Sequence, residues 1–237
     1  MRWLTLLAAS ICSLAAQFAP LPQADSPEEF DAYLRVLAAG SPAGVVAAGD
    51  AFLRAWPAST LRGHVYAQEY EAYRALGDAD KAIAAAEQSL AAAPDNLAML
   101  AGLAGVLANA TSDPKRLARA EECARKVIAL GQSFRVPKFI SPEEWERTAG
   151  RLNSQAHAAL GLVANQRGDL RDAVREFEAA ISLAPSPDAS QYYRLGVLYR
   201  TIGNAPEAMR LFRRAAELGD PVIRPLAERA LRALEHR

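Results

Sequence analysis

Two stretches of the chain repeat one another at a constant spacing. The stretch "LGLVANQRGDLRDAVREFEAAISLAP", residues 160–185, returns as "LGVLYRTIGNAPEAMRLFRRAAELGDP", residues 195–221. Five landmarks recur 35 positions later, namely Leu160 as Leu195, Gly168 as Gly203, Ala173 as Ala208, Phe177 as Phe212 and Ala180 as Ala215. An internal repeat of this length indicates an array of similar units, each of which buries one face on its neighbour.

Each unit has the pattern of a helix, a turn and a second helix. In the copy at residues 63–96, Tyr66, Tyr70 and Tyr73 are spaced four and three apart and share one face of a first helix. Gly77-Asp78 marks the turn, and small residues then line the second helix, namely Ala82, Ala86 and Ser89. Small residues let two helix backbones approach closely, so we expect the tyrosines to pack against them.

The composition describes a chain that can build a core. Hydrophobic residues make up 51% and charged residues 23% of its 237 residues, which is typical of a folded rather than a disordered chain. Lys and Arg number 27, as do Asp and Glu, for a formal net charge of +0. The balance gives no electrostatic reason to expect nucleic acid or an anionic membrane surface as a partner.

The first residues resemble a secretory signal peptide. "MRWLTLLAASICSLAA" carries one basic residue, an apolar run from Leu4 to Leu14 and then small residues. We expect cleavage after Ala15 and export to the bacterial periplasm or the medium; the run is shorter than the ~20 residues of a membrane span. An exposed hydrophobic start is one alternative. A lipoprotein attached through Cys12 is another, although Ile11 stands where lipidation requires a small residue.

The rest of the chain divides by its helix starts and stops. Ser26-Pro27 and Ser141-Pro142 each predict a capped helix start. Gly131 is expected to end a helix, and one long helix is expected from Pro142 to Gln166.

The predicted parts are a signal peptide at 1–15, a linker at 16–26, a divergent helical hairpin at 27–62, repeat units at 63–96, 97–130, 142–187 and 189–220, an insert at 131–141 and a capping helix at 221–237. The insert carries apolar residues expected to pack back on the array, namely Phe134, Val136, Phe139 and Ile140.

The units resemble tetratricopeptide repeats, whose first helix carries an aromatic residue, Leu-Gly and a second aromatic residue. Their second helix carries Ala, an aromatic residue, Ala and a closing Pro. The last copy matches with Tyr192, Leu195, Gly196, Tyr199, Ala208, Phe212 and Ala215, and Pro221 comes one place late. The first clear copy has Glu69-Tyr70 in place of Leu-Gly. The resemblance implies an all-α fold, a right-handed α-solenoid of antiparallel helix hairpins with about five repeats plus a C-terminal capping helix.

No set of residues predicts catalysis or a cofactor. His64, His157 and His236 are isolated, and no Cys or His pair has metal-ligand spacing. His157 falls at a packing position, where a hydrogen-bonded interior imidazole is expected. If Cys12 leaves with the signal peptide, Cys123 is the only cysteine of the mature chain, and we expect a buried, inert thiol. We therefore expect a protein that is not an enzyme.

The resemblance further implies that the first helices line a concave groove. The candidate binding residues at its inward positions are Gln68, Arg74, Gln155, Asn165, Tyr193, Arg194 and Arg200, and the inward positions also include Ala101, Gly105 and Asn109. The family's clamp for a C-terminal carboxylate is not matched, because its positions hold Ala158 and Leu162, or Tyr193 and Val197 in the last copy. Either a partner segment lies in the groove, held by Tyr193 and Arg200, or the 131–141 insert already fills it.

Two functions remain open at this point. One is an exported scaffold that binds a protein or peptide in the cell envelope without catalysis. The other is a structural subunit that self-associates or belongs to a larger envelope complex. The second is suggested by the uncharged helix "LAMLAGLAGVLANA", residues 97–110, which would need a partner if one of its faces were uncovered.

Overall fold

The computed structural model describes residues 23–110, 113–133 and 140–235, and over these residues it contains helices and no strands. The helices are α1 (Pro27–Leu37), α2 (Pro42–Ala55), α3 (Arg62–Ala75), α4 (Ala79–Ala92), α5 (Leu97–Ala110), α6 (Pro114–Ser133), α7 (Pro142–Gln166), α8 (Leu170–Leu183), α9 (Ala189–Thr201), α10 (Ala205–Glu217) and α11 (Ile223–Glu235). The predicted all-α fold of consecutive helix hairpins is confirmed.

The chain divides into two compact units, Met1–Met99 and Leu100–Arg237. In the first unit α2 packs on α1 and α3, and α3 packs on α4. The core of its first helices is formed by Tyr33, Val36, Phe52, Leu61 and Val65. In the second unit each helix from α6 to α11 packs on the next, and the C-terminal core is formed by Ala208, Phe212, Ala215, Ala227 and Ala230.

Three helices begin with the same capping arrangement. Ser26, Ser41 and Ser141 each precede a Pro at the first helical position, and each hydroxyl accepts a hydrogen bond from the backbone N–H three residues later. The serine satisfies one of the free N–H groups at the helix start, and the proline lacks an N–H that would otherwise be unsatisfied. The helix starts predicted at Ser26 and Ser141 are therefore confirmed.

The turn within three hairpins has one construction. A glycine with positive φ ends the first helix in each case, with φ of 76° at Gly77, 82° at Gly168 and 86° at Gly203. The next residue is Asp or Asn, and its side chain caps the second helix; these residues are Asp78, Asp169 and Asn204. Glycine is favoured because other L-residues rarely adopt this backbone conformation.

The two helices of the last two repeats are held together by a glycine against an aromatic ring. A Cβ added to Gly161 would lie 2.7 Å from the ring of Phe177, and one added to Gly196 would lie 2.8 Å from the ring of Phe212. Both rings are almost fully buried. The Leu-Gly of the repeat is thus explained by packing, because only glycine leaves room for the ring.

The first clear repeat reverses this arrangement of large and small residues. Tyr70 stands at the position of Gly196 and Ala86 at that of Phe212, since both pairs are 126 positions apart. Tyr70 and Ala86 are both buried, and their helices α3 and α4 pack together. The large residue therefore comes from the first helix here and from the second helix in the last two repeats, which agrees with the predicted packing of the tyrosines.

The uncharged helix α5 is covered by the rest of the chain. Eight of its residues are buried, namely Leu97, Met99, Leu100, Ala101, Leu103, Ala104, Leu107 and Ala108. Burial nearly all round was the interpretation of its sequence, and it holds except on one side. The residues on that side are spaced four, three and four apart and are not buried, namely Ala98, Gly102, Gly105 and Asn109.

One predicted helix end is wrong. Helix α6 runs past Gly131 to Ser133, so the first three residues of the expected insert are helical. Gly131 is not among the described glycines with positive φ, and with ordinary helical angles a lone glycine only weakens a helix. Ile140 is buried, in line with the expected packing of the insert, whereas Phe134, Val136 and Phe139 lie outside the described residues.

The long helix α7 begins at Pro142 and ends at Gln166, as predicted. Its internal Gly150 has a packing reason, since a Cβ there would lie 2.8 Å from the carbonyl oxygen of Leu183 at the end of α8. No helix in the described parts of the chain is long and apolar enough to cross a membrane. The expected signal peptide with Cys12, and also His236, lie outside the described residues.

Candidate protein-binding groove

The seven candidate groove residues are divided between the two units. Gln68 and Arg74 lie on α3 in the first unit, and the other five lie on α7 and α9 in the second. In the first unit Gln68 is half-buried and Arg74 is exposed. The guanidinium of Arg74 lies 3.0 Å from the Glu71 carboxylate and 5.5 Å from the centre of the Tyr70 ring. Arg74 therefore already has local partners.

In the second unit Arg194 reaches from α9 to α5. Its Nη2 donates a hydrogen bond of 2.8 Å to Oδ1 of Asn109, which is 85 residues away in the sequence. Asn109 is itself oriented, because its Nδ2 donates to the carbonyl oxygen of Gly105 at 2.8 Å. Two of the positions that were predicted to face the groove, on the first helices of the first and last hairpins of this unit, are thereby joined.

Arg194 forms no salt bridge within the described residues, although the Asp188 carboxylate at the start of α9 acts on its pKa in the opposite direction to burial. Within the described residues, the salt bridges of the chain do not include Arg194, and its one side-chain hydrogen bond goes to the neutral amide of Asn109. The side chain is half-buried, and this burial lowers the pKa of Arg194 from its usual value. A guanidinium has five N–H donors, so Arg194 keeps the capacity to bind an anionic group.

Tyr193 and Arg200 are turned towards α10. The ring of Tyr193 packs on the ring of Phe212, with 5.6 Å between their centres. The guanidinium of Arg200 lies 5.9 Å from the centre of the same ring. Phe212 is fully buried, so both residues contribute to the packing of the α9–α10 hairpin. The structure thus joins Arg194 to Asn109 and joins Tyr193 and Arg200 to Phe212.

The inward positions of α7 are neutral. Gln155 and Asn165 are exposed, Ala158 is half-buried and Leu162 is buried. On α5, the space beside Gly105 is open, because a Cβ added there would meet no atom within 4 Å. The candidate residues of the second unit therefore comprise two basic groups, Arg194 and Arg200, together with amides and a small-residue surface at Gly105.

A buried acid in the first unit was not identified from the sequence as a functional candidate. Glu69 on α3 is 4% exposed, and its Oε1 has no hydrogen-bond partner. A Cβ on Gly49 of α2 would lie 2.4 Å from that oxygen. Burial, with a smaller effect of the Asp50 charge, raises the pKa of Glu69 to about 7. The sequence signal that could have identified Glu69 is that it stands where the last two repeats have Leu.

The remaining titratable residues have structural surroundings. Nδ1 of His157 lies 2.7 Å from Oε2 of Glu176, and both side chains are about one-fifth exposed. Cys123 is fully buried. In the part of the chain that the structure describes, no three His, Cys, Asp or Glu side chains are grouped closely enough to hold a metal ion.

Comparison with protein families identifies the repeats. The family model of the tetratricopeptide repeat matches residues 71–96, 154–187 and 189–218. The chain contains tetratricopeptide repeats at these three sites. The three matches fall on the units in which the Gly-Asp or Gly-Asn turn is present. A comparison with curated proteins gave no match.

Solved structures of other tetratricopeptide repeat proteins share the fold at low identity. MamA from Desulfovibrio magneticus RS-1, from residue 41 to its end, is 18% identical, with a TM-score of 0.59 over 82% of this chain and 97% of that one. A thermophilic TPR protein from Thermus thermophilus is 16% identical, with a TM-score of 0.56 over 86% and 97% of the two chains. BtubC from P. vanneervenii is 16% identical, with a TM-score of 0.56 over 86% and 83%. At these identities the likeness concerns the fold alone.

Proposed function

We propose that this tetratricopeptide repeat protein is an exported, non-catalytic scaffold that binds a protein or peptide partner in the cell envelope. Tetratricopeptide repeats are protein-binding modules, which supports a scaffold, and the signal-like sequence of residues 1–15 supports export. We place the binding surface on the inward positions of the second unit, on α5, α7 and α9.

Arg194 is the observation that carries this choice of surface. A half-buried guanidinium that forms no salt bridge has lost part of its hydration and regains little from the neutral amide of Asn109. A carboxylate from a partner would bind to the free donors of Arg194, and a charge-assisted hydrogen bond is stronger than the neutral one. The partner is therefore a segment with an acidic group.

The neighbouring surface suits an apolar side chain of the same segment. Gly105 leaves open space, and its carbonyl oxygen is already bonded to Asn109. A partner residue lying there would cover small residues without leaving a polar group unsatisfied. The partner segment would therefore carry a short motif of one acidic residue next to one apolar residue. Short motifs of this kind are typical of peptides that bind to grooves between helices.

The experiment is capture from envelope extract with the chain from Ala16 onward, followed by titration of each captured protein in purified form. Arg194→Met is compared with Arg213→Met, an exposed arginine on α10, and with the double variant Tyr193→Ala/Arg200→Ala. We expect Arg194→Met to weaken binding at least tenfold and Arg213→Met to leave it unchanged. Equal binding by Arg194→Met and wild type would contradict the proposed surface, and no specific partner at all would contradict the scaffold.

Export has its own test. Expression with the full leader in a Gram-negative host, followed by N-terminal sequencing, should give a chain that begins at Ala16 in the periplasmic fraction. A chain that keeps Met1 and stays in the cytoplasmic fraction would contradict export without affecting the binding proposal.

A structural subunit that self-associates is the second candidate function. It is favoured by apolar side chains that the terminal helices α1 and α11 expose.

A further inference from the structure

Glu69 belongs to the surface of α3 on which the first hairpin, α1–α2, packs. Leu61, just before α3, and Val65 and Glu69 within it are spaced by four, so they share one side of the helix. Leu61 and Val65 are fully buried in a core that includes Tyr33 of α1 and Phe52 of α2. Glu69 is buried beside them at 4% exposure. A carboxyl group therefore lies in an interface whose neighbouring positions are apolar.

Oε1 of Glu69 is buried and has no hydrogen-bond partner within the described residues. It occupies the space that a Cβ on Gly49 of α2 would need, so the carboxyl group lies directly against the backbone of the neighbouring helix. A neutral carboxyl group can be held in such a place at modest cost. A carboxylate would lose its hydration there without a hydrogen bond in return. Close packing of α2 on α3 therefore requires that Glu69 keeps its proton.

The helices around the interface each carry a charged or titratable group that bears on this proton. Burial, and then the Asp50 charge on α2, raise the pKa of Glu69 to about 7. Tyr73, one turn along α3, has its own pKa raised by burial and then by the charges of Glu69 and Asp50. From α4, the ammonium of Lys81 lies over the Tyr73 ring, 5.5 Å from its centre. From α1, the buried Glu29 accepts a hydrogen bond of 2.6 Å from the backbone N–H four residues earlier.

We infer that the proton on Glu69 controls the docking of the α1–α2 hairpin on α3. While the proton is bound, the hairpin packs on Leu61, Val65 and Glu69; once it is lost, the hairpin separates from α3 more readily, because separation returns the carboxylate to water. The inference is independent of binding at Arg194, because α1 and α2 contain none of the candidate groove residues.

The sign and the size of the effect follow from the difference between the two states. The pKa of Glu69 is about 7 in the docked state and 4.5 for an exposed group, so docking is fully favoured below pH 4.5 and weakens as the pH rises to 7. The equilibrium constant for release should rise about tenfold per pH unit across this window and stay level above it. The released helices, of 11 and 14 residues, are marginal in water on their own, so their amides exchange.

Hydrogen exchange read by mass spectrometry measures this release. The chain from Ala16 onward keeps every described residue and is studied from about pH 5 to about pH 8, with each rate divided by that of an unstructured amide at the same pH. The protection of α1 and α2 should fall about tenfold per pH unit up to pH 7. At each pH it should be lower than the protection of α4, which packs on the other helix of its own hairpin, α3.

Glu69→Gln decides the cause, because it keeps the size of the side chain and cannot ionise. The protection of α1 and α2 should then be the same at every pH, and Glu69→Leu, with the residue of the last two repeats, should behave in the same way. The matched control is Glu71→Gln, an exposed acid on the same helix, which should keep the wild-type pH dependence. Circular dichroism verifies that each variant is folded.

Three results would overturn the inference. The first is wild-type protection of α1 and α2 that does not change with pH, and the second is a pH dependence that persists in Glu69→Gln. The third is equal protection of α1, α2 and α4 at each pH, since the hairpin would then open only when the whole unit unfolds.

Discussion

Gly161 lies against the ring of Phe177 so closely that a methyl group on the glycine would come within 2.7 Å of it. We predict that Gly161→Ala destabilises the fold, although alanine favours a helix over glycine by about 1 kcal/mol. The ring is buried, and forcing an extra carbon into a packed core costs about 1–3 kcal/mol. Urea unfolding measures the change.

Gly105→Ala is the matched control for that prediction. Gly105 is also inside a helix, but a Cβ there would meet no atom within 4 Å. We expect a gain of about 0.5–1 kcal/mol from the helix preference alone. Loss of stability in both variants to the same extent would show that the ring contact does not explain the glycine.

Tyr70 and Ala86 allow a test of the reversed packing. Tyr70→Gly should leave a cavity and cost about 3–5 kcal/mol, and Ala86→Phe alone should overpack the hairpin and cost about 1–3 kcal/mol. Together the two changes restore the Gly–Phe arrangement of the later repeats. We expect the double variant to be more stable than the sum of the single changes by at least about 1 kcal/mol. If the change in the free energy of unfolding of the double variant equals the sum of the two single changes in urea unfolding, the proposed exchange of side-chain volume between positions 70 and 86 is contradicted.

Glu69 predicts a pH dependence of stability. Its pKa is raised from 4.5 to about 7 in the folded chain, so between these values the folded state holds a proton that the unfolded state has released. The free energy of unfolding therefore falls as pH rises through this window, by about 1.4 kcal/mol per pH unit, and this loss is complete above pH 7. Below pH 4.5 the group contributes no difference.

Glu69→Leu removes that titration and installs the residue found at this position in the last two repeats. The gain over wild type should be small at pH 4.5 and should grow to about 3 kcal/mol at pH 8. Asp50→Asn is the companion variant, because it removes the smaller, electrostatic cause and should give only part of the gain. A gain from Glu69→Leu that is equal at both pH values would mean that Glu69 does not titrate in this range.

Much of the fold follows from local signals in the sequence. Ser26 and Ser141 before proline, and Gly77-Asp78 at a turn, act over three or four residues and depend little on distant packing. The predicted helix end at Gly131 was wrong because the effect of this glycine on the helix depends on its surroundings, which include α7. A Cβ at Gly131 would lie 3.5 Å from Oδ1 of Asn153 on α7, which is an ordinary contact. A glycine that breaks a helix cannot be distinguished by sequence from one that only lies in it.

The sequence predicted candidate residues for the site but not the contacts among them. The repeat pattern placed Asn109, Tyr193, Arg194 and Arg200 on inward positions. The contacts among them depend on how far each side chain reaches, and a hydrogen bond across 85 residues has no local signal. Glu69 was visible as a departure from Leu. The burial of its Oε1 without a hydrogen-bond partner could not be predicted, because it depends on the close approach of Gly49 on the preceding helix.

The first clear repeat has Tyr70 and Ala86 where the last repeat has Gly196 and Phe212. For this reason the smallest part of the chain that evolution or engineering can move to another place in it is a complete hairpin. If α9 were moved in front of α4, a glycine would face an alanine, and the hairpin would be left with a void. If α3 were moved in front of α10, a tyrosine would meet a phenylalanine in the space of one ring. Complete hairpins can be duplicated, shuffled or deleted, whereas single helices cannot, so recombination points that conserve the fold fall between hairpins.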